Sequence, residues 1–238
     1  MEMIANAGKA PNVRIHADLF QGTDEWAAAR CGMLTASEMG LILTPTLKAA
    51  RNDKERAQLY ELLAQRISRH VEPRYISDDM LRGQDDESEA LTIYAKHFAP
   101  TETVGFITND RWGFTLGYSP DGLVGSDGLV EVKSRRQKYQ IETFVVHVPE
   151  GTIPADYVIQ IQTGLLVSER AWCDLVSYSG GLPLAVIRAF PDERIQEAIV
   201  SAAGDFEVRL GEALTRYRET VAKARAIPTE RPVREIVL

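Results

Sequence analysis

The sequence predicts an α/β or α+β fold in which a mixed central β-sheet is flanked by helices. Two observations support this prediction. Segments with apolar residues at helical spacing fill the first part of the chain, and short β-rich runs separated by glycines begin near residue 104. A long amphipathic pattern then runs from Asp192 to about Ala226. This order of helices, strands, helix, strands and long helix is typical of a mixed fold.

The bulk composition is that of an ordinary globular protein. The chain has 238 residues, of which 45% are apolar and 26% are charged. We expect a single domain over residues 1–238, with a helical extension from about residue 192. The sequence has neither a run of about 18 apolar residues nor a secretory-signal pattern. We therefore expect a cytoplasmic protein with no membrane segment.

Charge and cysteine content narrow the possible functions. The net charge of −7 argues against a protein that coats nucleic acid nonspecifically, although a local basic channel is compatible with it. The two cysteines cannot supply the four thiolates of a typical iron–sulfur cluster.

Local patterns predict the elements of the first half. "VRIH" is expected as a short strand, and "GTDEWAAARCG" as a helix that stops at Gly32. Thr35 and Glu38 have capping-box spacing, which predicts a second helix beginning near Thr35. A polar loop, "EPRYISDD", separates two further helices. Apolar residues recur at helical spacing in both: Leu59, Leu62, Leu63 and Ile67 in the first, and Leu81, Ala90, Leu91, Tyr94 and Phe98 in the second.

Strands dominate the predicted second half. The runs "TVGFITN", "FTLGYS", "GLV", "LVEVKS", "AWCDLVSY" and "LAVIRAF" are short and β-rich. The segment "ADYVIQIQTGLLVS" is ambiguous, because its β-branched residues favour a strand whereas its length and the preceding Pro154 favour a helix. From Asp192 the pattern is helical, and the tail "IPTERPVREIVL" is expected to be extended.

The stretch "SPDGLVGSDGLVEVKS" carries the main chemical candidates. Glu131 and Lys133 share one face of a strand because side chains alternate with period two, and Asp121 lies on the expected partner strand. If the loop is "GSDG", simple pairing puts Asp121 opposite Val132 and on the wrong face. A metal site therefore requires an odd-numbered loop or a β-bulge, so that the pairing between Asp121 and Val132 is irregular.

These residue types suit metal-dependent hydrolysis of a phosphodiester. Mg²⁺ prefers oxygen ligands, commonly one or two carboxylates with water and substrate phosphate, and a nearby lysine can counter developing charge. On the spacing alone, however, a solvated charged hairpin is the more common explanation. Arg135, Arg136 and Lys138 follow the stretch and either contact a DNA backbone or form a solvated charge run.

Five segments carry a further signal through their order: "EWAAARCGMLTASEMGLIL", "GQDDESEALTIY", "SPDG", "LVEVKS" and "YVIQIQTGLLVSERAWCDLVSY". Together they resemble the lambda-exonuclease-like family of phage-type recombination nucleases, which includes alkaline exonucleases and YqaJ-like viral recombinases, within the PD-(D/E)xK superfamily. The resemblance implies a restriction-endonuclease-like core and a helical conformation for residues 155–168.

The resemblance also implies roles for individual residues. Metal ligands would be Glu87, Asp121, Glu131 and the carbonyl of Val132; Asp121, Glu131, Lys133 and Gln160 would be catalytic; and Arg30, Ser37 and Ser119 would bind a DNA 5′-phosphate. Helix-start N–H groups near Ser37 and the planar guanidinium of Arg30 suit a phosphate, although Glu38 partly neutralises that helix end. Without the family, a surface ion pair for Arg30 and an ordinary helix-start serine at Ser37 are the more common explanation.

By resemblance, we expect a Mg²⁺-dependent enzyme, with Mn²⁺ as a possible substitute, that degrades one strand of double-stranded DNA 5′→3′ from phosphorylated ends. The expected assembly is a homotrimeric ring, and the expected partner is a single-strand annealing protein in a bacterial or phage-infected cell. Two alternatives remain open from the sequence. One is a PD-(D/E)xK endonuclease with another substrate, and the other is a noncatalytic nucleic-acid-binding protein with the same fold.

Overall fold

The computed structural model describes residues 12–72 and 78–231, and the side chains of 78–80 are not described. The helices are α1 Asp24–Arg30, α2 Met39–Ile42, α3 Asp53–Ser68, α4 Asp78–His97, α5 Gln137–Glu142, α6 Val148–Glu150, α7 Ala155–Ser168 and α8 Glu193–Lys223. A 3₁₀ turn, Ala36–Glu38, precedes α2, and a π turn, Thr143–His147, joins α5 to α6. The centre of the predicted "EPRYISDD" loop and most of the predicted extended tail lie outside the described residues.

Within the described ranges 12–72 and 78–231, eight strands form two mixed sheets of four strands each. The strands are β1 Val13–His16, β2 Leu34–Thr35, β3 Phe106–Asn109, β4 Leu116–Tyr118, β5 Gly122–Val124, β6 Gly128–Ser134, β7 Trp172–Tyr178 and β8 Ala185–Ala189. Their orders are β1-β3-β4-β2 and β5-β6-β7-β8. In each sheet one pair is parallel, β2 with β4 and β6 with β7. The predicted mixed α/β fold is confirmed, with two sheets where the sequence suggested one.

Helices cover both faces of the second sheet. On β6, Leu129 joins the main core beneath α7 and α8, whereas Val130 and Val132 pack with Tyr94 of α4 on the opposite face. This alternation is the one predicted for the strand. It leaves Glu131 on the same face as Leu129.

The segment 155–168 is helix α7, as the resemblance implied. Its buried residues include Ile161, Leu165 and Val167, which point in several directions around the helix. A helix that is apolar on most sides is a buried helix. Its sequence therefore lacks the one-sided periodicity that would have distinguished it from a strand.

Helix α8 is part of the main core over its first half. Ile199, Phe206 and Leu210 are at most 1% exposed, and they recur at helical spacing. The bidentate ion pair between Arg66 and Glu207 also joins α8 to α3. Within the described residues, no helix is both long enough and apolar enough to cross a membrane.

Candidate active site

The β5–β6 hairpin has a three-residue loop, residues 125–127. Val124 pairs with Gly128 and Gly122 pairs with Val130. Continuing this register would set Asp121 opposite Glu131, on the same face of the sheet. An odd-numbered loop is therefore present, as the metal-site hypothesis required, but the strand pairing is regular where that hypothesis expected an irregular one. The four-residue "GSDG" loop and the pairing of Asp121 with Val132 that it implied are wrong, because Gly128 belongs to β6.

A buried arginine holds this loop in place. The Nη1 atom of Arg170 donates to the carbonyl oxygens of Gly125 at 3.0 Å and Gly128 at 2.6 Å. Arg170 is only 6% exposed, and burial lowers its pKa from the ordinary value. Hydrogen bonds from a charged donor to the carbonyls of the first loop residue and of the residue after the loop stabilise this turn.

Asp121 stands just beyond the last paired residue of β5. Its Oδ2 atom accepts a hydrogen bond from the backbone N–H of Val132 at 2.6 Å, so the carboxylate occupies the position of a missing strand partner. The N–H and C=O of one strand residue point toward the same neighbour. The Val132 carbonyl therefore faces the Asp121 side, and Val132 lines the cleft described below.

Three donors fix the carboxylate of Glu131, which is only 2% exposed. The hydroxyl of Tyr118 donates to Oε2 at 2.8 Å. The ammonium of Lys133 donates to Oε1 at 2.8 Å, and the side-chain amide of Gln160 on α7 donates to the same oxygen. Two sheets and a helix thus converge on one carboxylate.

Glu87 comes to the site from α4. The hydroxyl of Ser134, the residue after Lys133, donates to the carboxylate of Asp86. This contact ties the α4 turn that carries Glu87 to the end of β6. It explains how residues far apart in sequence line the same cleft.

Burial and crowding of negative charge perturb these groups. Burial raises the pKa of Asp121 well above its ordinary value, and repulsion from Glu131 and Glu87 raises it further. Burial and then Glu131 also raise the pKa of Glu87. Burial alone would lower the pKa of Lys133, but the Glu131 and Asp121 carboxylates outweigh it and the net pKa is raised. The lysine therefore stays charged among the carboxylates.

This donor set fits a divalent cation that prefers oxygen ligands. Carboxylates of Glu87, Asp121 and Glu131 line one cleft, and an added positive charge would relieve their mutual repulsion. Across residues 12–72 and 78–231, no three His, Cys, Asp or Glu side chains group closely enough to hold a metal by themselves. The Val132 carbonyl, water and phosphate oxygens would have to complete the coordination, as is common for Mg²⁺.

The residues expected to bind a 5′-phosphate lie in the same cleft. The guanidinium of Arg30 stacks on the ring of Trp26 at 4.0 Å and donates to the hydroxyl of Thr35 at 3.2 Å. The Thr35 and Ser37 hydroxyls are 3.2 Å apart. The Ser119 hydroxyl accepts from the indole N–H of Trp26 at 3.1 Å. Thr35 thus links Arg30 to Ser37, and Trp26 links Arg30 to Ser119.

The helix start at Ser37 differs in detail from the expectation. The predicted capping box of Thr35 and Glu38 is confirmed, and Glu38 accepts from the Thr35 backbone N–H at 3.2 Å. The 3₁₀ turn Ala36–Glu38 and the four-residue α2 form only a short helix, so its dipole is weak. The hydroxyl groups and the Arg30 guanidinium therefore contribute more to anion binding in this pocket than the helix end does.

One cleft of about 210 Å³ is lined by every residue that the sequence proposed for the site: Arg30, Ser37, Glu87, Ser119, Asp121, Glu131, Val132, Lys133 and Gln160. Tyr118 and Trp26 also line it and were missed. Trp26 could have been found, because it precedes Arg30 by four residues in a predicted helix and so lies on the same face. Tyr118 resembles any buried strand aromatic, and no sequence pattern distinguishes it.

The family model of the YqaJ-like viral recombinase domain matches residues 25–171, which include every site residue named above. The chain belongs to the YqaJ-like viral recombinase domain family. No curated protein matches it.

Solved structures of alkaline exonucleases are similar to this YqaJ-like domain. LHK-Exo, an alkaline exonuclease from Laribacter hongkongensis, is 29% identical with a TM-score of 0.73, and the match covers 84% of this chain and 99% of that one. LHK-Exo in complex with dAMP is 31% identical with a TM-score of 0.74 and the same coverage. A phage-related exonuclease from Haemophilus somnus 129PT shares the fold alone, at 12% identity and a TM-score of 0.52, over 76% of this chain and 96% of that one. The family and the LHK-Exo structures indicate a phage-type alkaline exonuclease.

Proposed function

We propose that the protein is a Mg²⁺-dependent exonuclease that degrades one strand of linear double-stranded DNA 5′→3′ from a 5′-phosphorylated end. A single observation supports this proposal most strongly. The carboxylate–lysine group and the Arg30 pocket line the same cleft, so an end-binding site adjoins a hydrolytic site. The kinship to alkaline exonucleases supports the same class of reaction.

The metal ion would be held by Glu87, Asp121, Glu131 and the Val132 carbonyl. Mg²⁺, or Mn²⁺ in its place, would supply neutralisation of phosphate charge and activation of water. The hydrogen bond from the Val132 N–H would keep the Asp121 carboxylate aimed into the cleft. The donors on Glu131 would prevent that side chain from rotating away.

Lys133 would provide the positive charge nearest to the reacting phosphate. Its ammonium is positioned by Glu131 at 2.8 Å, and the side chain retains 21% exposure toward the cleft. A fixed cation at this point would stabilise the negative charge that develops on the phosphate oxygens during hydrolysis. Gln160 would maintain the orientation of Glu131, on which the position of Lys133 depends.

The Arg30 pocket would select the DNA end. Guanidinium and hydroxyl groups are suitable donors for a terminal phosphate. Ser119 precedes Asp121 by two residues, so an end phosphate bound there would leave a neighbouring phosphodiester beside the carboxylates. This arrangement would favour DNA with a 5′-phosphorylated end and degradation in the 5′→3′ direction.

The biological setting is proposed on the family resemblance. A homotrimeric ring would retain duplex DNA by enclosing it, which would explain how a chain of net charge −7 acts processively. The single-stranded DNA produced would then be taken up by a single-strand annealing protein for recombination.

Linear duplex DNA with 5′-phosphate or 5′-hydroxyl ends tests the activity, in Mg²⁺ or EDTA. We expect Mg²⁺-dependent loss of the 5′-ended strand, faster with phosphate, and none with Lys133→Ala. Lys96→Ala, which removes an exposed lysine of α4, is the matched control and should degrade DNA like the wild type. Equal degradation rates for 5′-phosphate and 5′-hydroxyl ends would rule out end selection by the Arg30 pocket. Cutting of closed circular duplex DNA would contradict the exonuclease proposal.

A further inference from the structure

Cationic and aromatic side chains alternate in a row that leads out of the cleft. The ammonium of Lys133 lies 5.4 Å from the ring centre of Tyr157. The guanidinium of Arg135 lies 5.2 Å from that ring and 5.1 Å from the ring of Tyr139. The ammonium of Lys138 lies 4.6 Å from the Tyr139 ring. The Tyr–Arg ladder consists of these five residues: Lys133, Tyr157, Arg135, Tyr139 and Lys138.

Arg135 is held rigidly within the ladder but keeps unused hydrogen-bonding capacity. Its Nη1 atom donates to the Tyr157 hydroxyl at 2.6 Å, while its buried Nε atom has no hydrogen-bond partner among the described residues. Over those same residues neither Arg135 nor Lys138 forms an ion pair with a carboxylate. In a chain with a net charge of −7, two cations that carboxylates leave uncompensated can attract an anion.

The outer end of the ladder has an accessible aromatic ring. Tyr139 is 42% exposed, and its ring lies between the two cations at the start of α5. Aromatic rings that alternate with cations suit a single nucleic-acid strand, because bases stack on the rings and phosphates contact the cations. Duplex DNA offers phosphates to such a surface but keeps its bases paired and stacked.

We propose that the Tyr–Arg ladder binds single-stranded DNA next to the scissile position, with a base stacked on Tyr139 and a phosphate held by Arg135 and Lys138. This inference rests on the proposed nuclease function, since Lys133 belongs both to the ladder and to the hydrolytic site. The ladder would guide an unpaired strand between the cleft and the surface of α5.

Fluorescence anisotropy in EDTA tests the ladder, because hydrolysis is then absent. The probe is labelled oligothymidylate of about 12 nucleotides with a 5′-hydroxyl end, compared with an abasic strand of equal length. We expect Tyr139→Ala to weaken binding of the thymidylate strand by about tenfold, while binding of the abasic strand stays within about twofold. Tyr139→Phe, which keeps the ring, should bind both strands like the wild type.

A second variant separates charge from stacking. Arg135→Gln should weaken the binding of both strands and reduce the magnitude of the slope of log affinity against log salt by about one unit. Ile141→Ala is the matched control, because it truncates a neighbouring side chain that is 51% exposed. It should change neither the affinity for the two strands nor the salt dependence. Thermal unfolding of each variant verifies that it is folded.

Two results would overturn the ladder. Equal losses for thymidylate and abasic strands in Tyr139→Ala would exclude base stacking. Unchanged strand binding together with an altered oligomeric state in sedimentation would assign this surface to contacts between copies of the chain. Neither result concerns the proposed function, which fails separately if the wild type does not degrade linear duplex DNA in Mg²⁺.

Discussion

At the scale of single residues, the orientation of Glu131 decides whether the carboxylates can act together. Tyr118 donates to one of its oxygens at 2.8 Å, and Lys133 and Gln160 donate to the other. Tyr118 is the buried donor of this set and comes from the other sheet. It therefore orients Glu131 from the buried wall of the cleft.

Under the proposed Mg²⁺-dependent function, Tyr118→Phe should raise the Mg²⁺ concentration needed for half-maximal nuclease activity by about tenfold. Loss of a partner that orients a metal ligand typically has an effect of this size. The measurement is a Mg²⁺ titration of strand degradation. Tyr94→Phe is the matched control. It removes a buried hydroxyl that packs on the second sheet, on the face opposite to Glu131. An equal shift in both variants would mean that the effect is one of general stability.

The raised pKa of Asp121 gives a prediction about pH. Because burial raises this pKa well above its ordinary value, the folded chain binds a proton more tightly than the unfolded chain. The stability that this proton provides is complete below about pH 4, the ordinary carboxyl pKa, and is lost as pH rises through the raised value. In EDTA, Asp121→Asn should therefore be more stable than the wild type at about pH 8 and lose that advantage near pH 4.

Chemical denaturation at both pH values measures this effect. Asparagine keeps an oxygen that can accept from the Val132 N–H, so the comparison isolates the charge. Asp18→Asn, which replaces an exposed carboxylate, is the matched control substitution. A gain in stability at pH 4 as large as that at pH 8 would contradict the explanation.

Some residues of the site follow from sequence because their positions depend only on strand alternation. Glu131 and Lys133 share a face for that reason alone.

Burial along the helices follows less directly from sequence. Ile67, Leu81 and Phe98 fit the predicted helical spacing, yet each is more than a third exposed. Periodicity indicates which face is apolar, but tertiary packing decides how far along a helix that face is covered.

At the scale of elements, the register of the β5–β6 hairpin is the feature that sequence left undetermined. "GSDG" supports either a three-residue or a four-residue loop, and the two choices put Asp121 on opposite faces. The structure adopts the shorter loop, and Arg170 donates to the carbonyls of its first residue, Gly125, and of Gly128, which follows it. Arg170 follows the loop by more than forty residues, so a local pattern cannot reveal the contact.

Helix α7 approaches the first sheet so closely that only glycine fits at position 164. A Cβ atom there would lie 2.7 Å from Cζ of Tyr118. Gly164→Ala should displace the Tyr118 ring from Glu131, lower the free energy of unfolding by about 1–3 kcal/mol and reduce nuclease activity. Urea denaturation and strand degradation measure the two effects.

Gly211→Ala is the matched control for this substitution. Gly211 lies in α8, where an added Cβ would meet no atom within 4 Å. Alanine in an open helical position should stabilise the protein by about 0.5–1 kcal/mol, with activity unchanged. If both substitutions changed stability in the same direction, the close approach of α7 to Tyr118 would not be the cause.

At the scale of the whole molecule, α8 connects the core beneath the second sheet to α3. The sequence predicted a helical extension from about residue 192, and α8 begins at Glu193. The structure buries Ala203, Phe206 and Leu210 of this helix in the main core, which also contains Tyr118 of the cleft. An amphipathic pattern does not reveal which surface its apolar face covers, since that depends on contacts with segments distant in sequence.

Two positions on α8 test whether it belongs to the core. Phe206 is 1% exposed and Val208, two residues later, is 61% exposed. Phe206→Ala should lower the free energy of unfolding by about 3–5 kcal/mol. Val208→Ala should change it by less than about 0.5 kcal/mol, because it lies on the solvent face. Urea denaturation followed by tryptophan fluorescence measures both, and similar small losses would show that α8 is a dispensable appendage. A large loss for Phe206→Ala alone would show that the apolar face of α8 belongs to the core that also contains Tyr118, which lines the cleft.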